Sequence, residues 1–218
     1  MYAIESLSRN FREPILMSLP TIHIVDDDKD SRQVVVELVR SMNLAVESYE
    51  SAEDFISRYN GKRPACVVTD KKMPGMNGVE LIERLREMEI TIPIVMVTGF
   101  ADVPSTVRAI RGGAITLIEK PCGQAELRKG IEEAVQLEQE NLKKNTQLDE
   151  AKRLVATLDD KEIDVAKLLI EGLANKVIAA RLDCGLRTIE KRRSTILKKM
   201  NVQSVAELVQ IWVLAHTS

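Results

Sequence analysis

"VVTDKKMPGMNGVEL", Val67 to Leu81, is the stretch whose reading decides the fold. It closes an apolar, β-branched run on one acid, Asp70, breaks into a loop of Pro, Gly and Asn, and resumes with apolar residues at helical spacing from Val79. A short continuous run bounded by turn formers predicts a strand, here "ACVVT" from Ala65 to Thr69 with Asp70 at its end. Outward from it, four more runs predict strands: "TIHIV" (Thr21–Val25), "LAVESY" (Leu44–Tyr49), "IPIVMVT" (Ile92–Thr98) and "AITLI" (Ala114–Ile118). Helical spacing lies between them, as in Val35, Leu38, Val39 and Met42, and in Val79, Leu81, Ile82, Leu85 and Met88. Five strands alternating with helices predict an α/β domain, a doubly wound parallel sheet covered on both faces. In such a sheet the binding crevice lies beyond the carboxyl ends of the strands.

That rule collects a set of polar residues on one rim. Asp26 and Asp27 follow the first strand, Asp70 ends the third, Thr98 ends the fourth and Lys120 follows the fifth. The Lys120–Pro121 bond is one of the few peptide bonds that can be cis, and the sequence leaves the isomer open. Three carboxylates on one rim repel one another unless a cation sits among them, and hard oxygen ligands select Mg2+ or a similar ion such as Mn2+. A carboxylate beside that ion can attack phosphorus, after which the transferred group needs its oxygens neutralised. Thr98 offers a hydroxyl and Lys120 a charge-assisted bond, so the set suits an aspartyl phosphate. Taken alone, the run Asp26–Asp28 could equally start a helix, where acids favour the dipole, and Asp28 and Asp30 are expected to do so. His23, inside a strand, is expected in the core.

With 218 residues, 44% hydrophobic and 29% charged, the chain has an ordinary globular composition and room for two domains. No apolar run approaches the ~20 residues needed to span a bilayer. Residues 1–16 carry Glu5, Arg9, Arg12 and Glu13, unlike a secretory signal, so a cytoplasmic location is expected. Cys66, Cys122 and Cys184 lack metal-ligand spacing and read as unpaired thiols. Net charge is −2, yet residues 156–218 hold 10 Lys and Arg against 8 Asp and Glu, so an anionic partner is sought there. The expected organisation is an N-terminal extension over 1–18, the sheet domain over 19–137, a helical linker over 138–156 and an all-α domain over 157–218. Leu127, Ile131, Val135, Leu142, Leu148 and Val155 form an imperfect stripe broken by "EQEN" and "KKNTQ", which favours packing against the domains over a coiled coil.

The last part reads as four helices. Asp159 and Glu162 suggest a capping box, Gly172 a helix stop, Asn175 the next N-cap, and Gly185 the break between the second and third helices. Between Leu186 and Met200 stand Arg187, Lys191, Arg192, Arg193, Lys198 and Lys199 against Glu190 alone. A basic helix can be a mere solvated face, but a short helix, a Gly turn and a basic helix together make a helix-turn-helix. In that geometry Arg187, Lys191 and Arg192 would read bases, while Asn175, Lys176, Thr188 and Arg193 would hold the phosphate backbone.

"IHIVDDD", "VVTDKKMPGMNGVEL", "IVMVTGF" and "LIEKP", in this order, resemble the receiver domain of two-component response regulators. The resemblance implies that a sensor histidine kinase phosphorylates Asp70, with Asp26, Asp27, Asp70 and the Lys72 backbone carbonyl around Mg2+, and Thr98 and Lys120 as the switch pair. It implies self-dephosphorylation too, but a regulator's function, not an enzyme's. Leu117 stands where receivers commonly carry Tyr or Phe, so the aromatic switch is absent. Phe100 is larger than the usual occupant and would slow water entry. "ADVPSTVRAIRGGAITLIEKP" is similar to the FixJ-like subgroup, whose activated receivers dimerise. "LDDKEIDVAKLLIEGLANKVIAARL" and "TIEKRRSTILKKMNV" resemble the LuxR-type helix-turn-helix, departing at Lys161, Cys184, Gly185 and Arg192. In that family the last helix, with Val205, Leu208, Val209, Trp212 and Val213, mediates dimerisation.

The function this implies is phosphorylation-coupled dimerisation and promoter binding, in contact with the transcription machinery and without a membrane. One alternative is a constitutive DNA-binding regulator whose receiver serves only protein contacts. Another is an aspartyl-phosphate hydrolase, but such enzymes commonly place an acid two residues after the nucleophile, where this chain has Lys72.

Overall fold

The computed structural model describes residues 19–99 and 102–217. The expected extension over 1–18 and the expected effect of Phe100 lie outside those residues. Two compact units divide the described chain, residues 19–142 and residues 143–217.

The first unit alternates β1 (Thr21–Val25), α1 (Lys29–Ser41), β2 (Ala45–Tyr49), α2 (Ala52–Arg58), β3 (Ala65–Asp70), α3 (Gly78–Glu87), β4 (Ile94–Thr98), α4 (Val103–Arg111) and β5 (Ala114–Glu119). The strands are all parallel in the order β2-β1-β3-β4-β5. β3 and β4 are buried at every position, which is why their sequences read as continuous apolar runs. Alternate residues feed two cores. Val67, Met96, Leu81 and Phe55 pack on one face, and Cys66, Val68, Val95 and Ile131 on the other. His23 is buried in the sheet, as expected.

Strand limits differ slightly from expectation. β4 starts at Ile94, not Ile92, because Pro93 has no N–H for the ladder; its carbonyl still accepts from Val67 N–H at 2.9 Å. β2 starts at Ala45, after Asn43 turns the chain with φ 56°. The Lys120–Pro121 bond is cis.

α5 (Gln124–Val155) is one 32-residue helix that belongs to both units. Leu127, Ile131 and Ala134 pack on the sheet, residues 143–146 are exposed, and Ala151 and Leu154 enter the second core. The apolar stripe thus serves two cores in turn. Glu138, inside the "EQEN" interruption, is fully buried. Its carboxylate accepts from Arg63 Nε at 2.7 Å, Arg63 Nη2 at 2.5 Å and the Ala65 backbone N–H at 3.2 Å.

The second unit adds α6 (Asp160–Ile170), α7 (Asn175–Arg181), α8 (Leu186–Lys199) and α9 (Val205–Ala215) around Val165, Leu169, Ile178, Ile189, Ile196 and Leu208. The Asp159–Glu162 capping box is formed, and Gly172 ends α6 at φ +82°. The expected N-cap at Asn175 is corrected: Ala174 takes the cap, without a side-chain bond, and Asn175 is the first helical residue. The Asn175 side-chain oxygen accepts instead from Arg193 Nη1 at 3.3 Å, a contact between α7 and α8 that local sequence does not reveal. Gly185 caps α8, likewise without a side-chain bond.

Candidate functional site

β1 and β3 are central neighbours, and the chain reverses its winding direction between them, so their carboxyl ends flank the crevice of a doubly wound sheet. Asp26 leaves β1 and Asp70 closes β3. Both are nearly buried, 5% and 8% exposed. Lys120, just beyond β5, joins them: its Nζ donates to Asp70 Oδ1 at 2.7 Å and to Asp26 Oδ2 at 3.3 Å. Burial alone would lower the Lys120 pKa, but the bond to Asp70 and the charges of Asp26 and Asp70 outweigh it, and the net shift is upward. The ammonium therefore stays charged between the acids.

Backbone groups complete the clamp. Lys72 N–H donates to Asp70 Oδ2 at 2.6 Å, and Asp28 N–H to Asp26 Oδ1 at 2.9 Å. Arg32 Nη1 donates to the Asp26 carbonyl at 2.6 Å. Asp28 also caps α1, accepting from Ser31 N–H at 2.7 Å, as its place in the acidic run suggested. The loop after Asp70 returns on itself where Gly78 N–H donates to the Lys71 carbonyl at 3.0 Å, and a Cβ at Gly78 would collide with the Asp70 carbonyl oxygen. Only glycine allows α3 to start so close to the acid.

Thr98 ends β4 at the same rim, 2% exposed, and its carbonyl accepts from Lys120 N–H at 2.7 Å. It opens with Lys71, Lys72, Asn77 and Ser105 onto a cleft of about 650 Å3. Lys71 pairs with Asp102, the N-cap of α4, and that ammonium with the Ser105 N–H holds the Asp102 carboxyl far below the usual carboxylate range. Asp27 is exposed and is not drawn into the acidic pair. Among the described residues no three acidic, His or Cys side chains converge as a metal cage. The donor set of two carboxylates at one rim nevertheless fits Mg2+, which commonly binds one or two carboxylates and keeps its waters. Leu117, at the position of the missing aromatic, is half-buried against the first core.

In the second unit, Ile189 and Ile196 turn one face of α8 inward. Arg187, Thr188 and Lys191 are exposed on the opposite side, as is Lys176 on α7. Arg192 and Arg193 are half-buried flanks of the Ile189–Ile196 ridge, so the outward stripe runs instead through Arg187, Lys191, Ser194 and Lys198. Lys199, counted with the basic surface, turns inward: its Nζ donates to Glu162 Oε2 at 2.6 Å and to the Thr157 carbonyl at 3.2 Å.

Residues 22–132 match the response regulator receiver domain, and residues 156–212 match the luxR family of bacterial regulatory proteins. The chain is 35% identical over 190 residues to the transcriptional regulatory protein FixJ of Bradyrhizobium diazoefficiens, covering 87% of this chain and 93% of the relative. It belongs to the response regulators. Response regulator protein TodT of Pseudomonas putida is 33% identical, with 87% and 84% covered. Among solved structures, response regulator StyR superposes with a TM-score of 0.82 at 37% identity, over 89% of this chain and 98% of that one. Full-length FixJ from B. japonicum gives 0.57 at 34%, over 91% and 98%.

This response regulator is therefore a receiver joined to a LuxR-type DNA-binding domain, a transcriptional regulator and not a conventional enzyme. Ser31, Asp102 and Glu138 escaped the sequence reading. Asp102 had a local signal, an acid before Val-Pro at a helix start; Ser31 and Glu138 owe their roles to partners 89 and 75 residues away.

Proposed function

We propose that Asp70 is the phosphoacceptor of this response regulator and that its modification governs promoter binding. The observation that carries the reading is the shared ammonium of Lys120, which holds Asp70 and Asp26 together at the mouth of β1 and β3. Asp70 Oδ1 or Oδ2 attacks the phosphorus of the donor, a sensor histidine kinase's phosphohistidine, and the bond to the departing nitrogen breaks. Lys120 then follows the new negative charge from the carboxylate to a phosphoryl oxygen, and the Thr98 hydroxyl donates to another. Mg2+ or Mn2+ supplies further neutralisation when held by Asp26, Asp70, the Lys72 carbonyl and, at the exposed edge, Asp27. Water attack on the same phosphorus returns Asp70 to its resting form.

The DNA-binding surface in this reading is the outward side of α8 with the start of α7. Arg187 and Lys191 face bases, Thr188, Lys176 and Asn175 hold phosphates, and Arg192 and Arg193 flank the groove. Phosphorylated receivers pair, so two copies engage two half-sites and present the transcription machinery with a dimer. We assign residues 19–142 to the receiver, residues 143–156 to the remainder of the helical linker and 157–218 to the DNA-binding domain. No described helix is long and apolar enough to cross a membrane, and a cytoplasmic site of action suits both partners.

Intact-mass measurement after incubation with an acyl phosphate and Mg2+ tests the assignment. One base-labile phosphoryl group is expected on the wild type and none on Asp70→Asn. Equal labelling of both would remove Asp70 from its role.

A further inference from the structure

Ser31 lies on the first turn of α1 with its N–H fixed by Asp28, and its side chain is aimed back into the acidic pocket. Its Oγ donates to Asp26 Oδ2 at 2.7 Å and accepts from Lys120 Nζ at 3.0 Å. A serine hydroxyl has one proton and two lone pairs, so both bonds form at once. Lys120 has three protons, and the pocket offers three acceptors: Asp70 Oδ1, Ser31 Oγ and Asp26 Oδ2. Both oxygens of Asp26 are engaged as well, Oδ1 by the Asp28 N–H and Oδ2 by Ser31 and Lys120.

From this closed circuit we infer that Ser31 is a positioning residue that parks the Lys120 ammonium on the acidic pair and so raises the concentration at which a divalent cation can enter. The inference rests on the reading that Asp26 and Asp70 hold Mg2+. A metal arriving at Asp26 Oδ2 meets two donors already bound there, one of them a competing cation. The other is the Ser31 hydroxyl, which also accepts from that ammonium. Removing it opens one acceptor direction on Asp26 to the incoming ion and takes one acceptor from Lys120, which loosens the seat of the ammonium. Ser31 thereby keeps the ammonium seated in the resting pocket and makes loading with metal a step that must displace it.

The experiment is a Mg2+ titration of the full chain at fixed ionic strength, followed by the amide NMR shifts of Asp26, Ser31 and Lys72, for wild type, Ser31→Ala, Ser31→Thr and Asp26→Asn. Ser31→Ala is expected to bind Mg2+ about three- to tenfold more tightly, the size of one typical net hydrogen bond. Ser31→Thr, which keeps the hydroxyl, should stay within about twofold of the wild type, being a substitution that conserves the bond. In metal-free protein, the Lys120 ammonium protons should exchange with solvent faster in Ser31→Ala than in wild type or Ser31→Thr. Unchanged or weaker Mg2+ binding by Ser31→Ala, with binding still abolished in Asp26→Asn, would overturn the role of Ser31 and leave the metal site standing. A Mg2+ response that survives in Asp26→Asn would overturn the metal assignment itself, and this inference with it.

Discussion

The two charged regions treat their charges in opposite ways. In the receiver pocket, Asp26 and Asp70 are nearly buried and each carboxylate oxygen has a partner. On α8, Arg187, Lys191 and Lys198 are exposed, and no ion pair engages them among the described residues. Buried charge must be matched on site, because an unpaired ion out of water is costly, and a matched set responds as a unit when one member changes. Exposed charge of one sign needs no match and creates a field that attracts an anion. A switch and a docking surface are thus distinguishable by where their counterions are, within the molecule or outside it.

The contrast can be broken most forcefully at the matched buried charges of the sheet unit. Arg63→Met leaves Glu138 buried without its cation and should cost about 3–5 kcal/mol, whereas Arg63→Met with Glu138→Leu should recover most of that loss. Hydrogen exchange of the β1 and β3 amides measures both. On the unmatched surface the same kind of change should spare stability and remove binding. Arg187→Ala or Lys191→Ala is expected to lose about 1–3 kcal/mol of promoter affinity, with unfolding altered by under about 0.5 kcal/mol. Fluorescence anisotropy on specific and scrambled duplexes at one salt concentration separates base reading from phosphate contact.

Lys199 sharpens the comparison because it is the cation of α8 that is matched internally. Lys199→Ala should destabilise the helical unit by about 1 kcal/mol through the loss of Glu162's cation, followed by Trp212 fluorescence, with little change in DNA affinity of the folded protein. The smallest effect concerns His23, whose ring Nδ1 lies 3.0 Å from Tyr49 Oη among Phe55 and Tyr59. Burial lowers its pKa, against the raising influence of Glu47. The unfolded chain then binds the proton more readily, so this contribution is present above the ordinary histidine pKa and is lost as pH falls through it towards the lower folded value. His23→Gln should flatten the stability profile of the sheet unit between pH 7 and about pH 5.5, where unperturbed histidine titrates. An unaltered slope would exclude His23 as its source.

Much of this was legible because it is written locally. Strands buried on both faces betray themselves as continuous β-branched runs, and the carboxyl-end rule then places Asp26, Asp70, Thr98 and Lys120 on one rim without any knowledge of side-chain geometry. Capping at Asp28 and Asp159 is equally local, set by residues three apart. What stayed hidden depends on chain segments meeting. Glu138 looked like a polar break in a stripe because its partner Arg63 is 75 residues away. Ser31 carries no local sign of its role, because Lys120 comes to it from beyond β5. Asn175 had the composition of a cap, but Arg193 claims its side chain from another helix. A charge count ignores helical phase and so groups Arg192 with Arg187 and Lys191; burial of Ile189 and Ile196 leaves Arg187 and Lys191 exposed and Arg192 and Arg193 half-buried.

In the proposed mechanism, matched charge in the receiver governs the unmatched charge of α8. A DNA-binding titration on the chain's own upstream region tests it most directly, with and without Mg2+ and beryllofluoride, for wild type and Asp70→Asn at fixed salt. Tighter binding and dimer formation are expected for the activated wild type alone. Equal binding in all four conditions would contradict it and leave a constitutive DNA-binding protein.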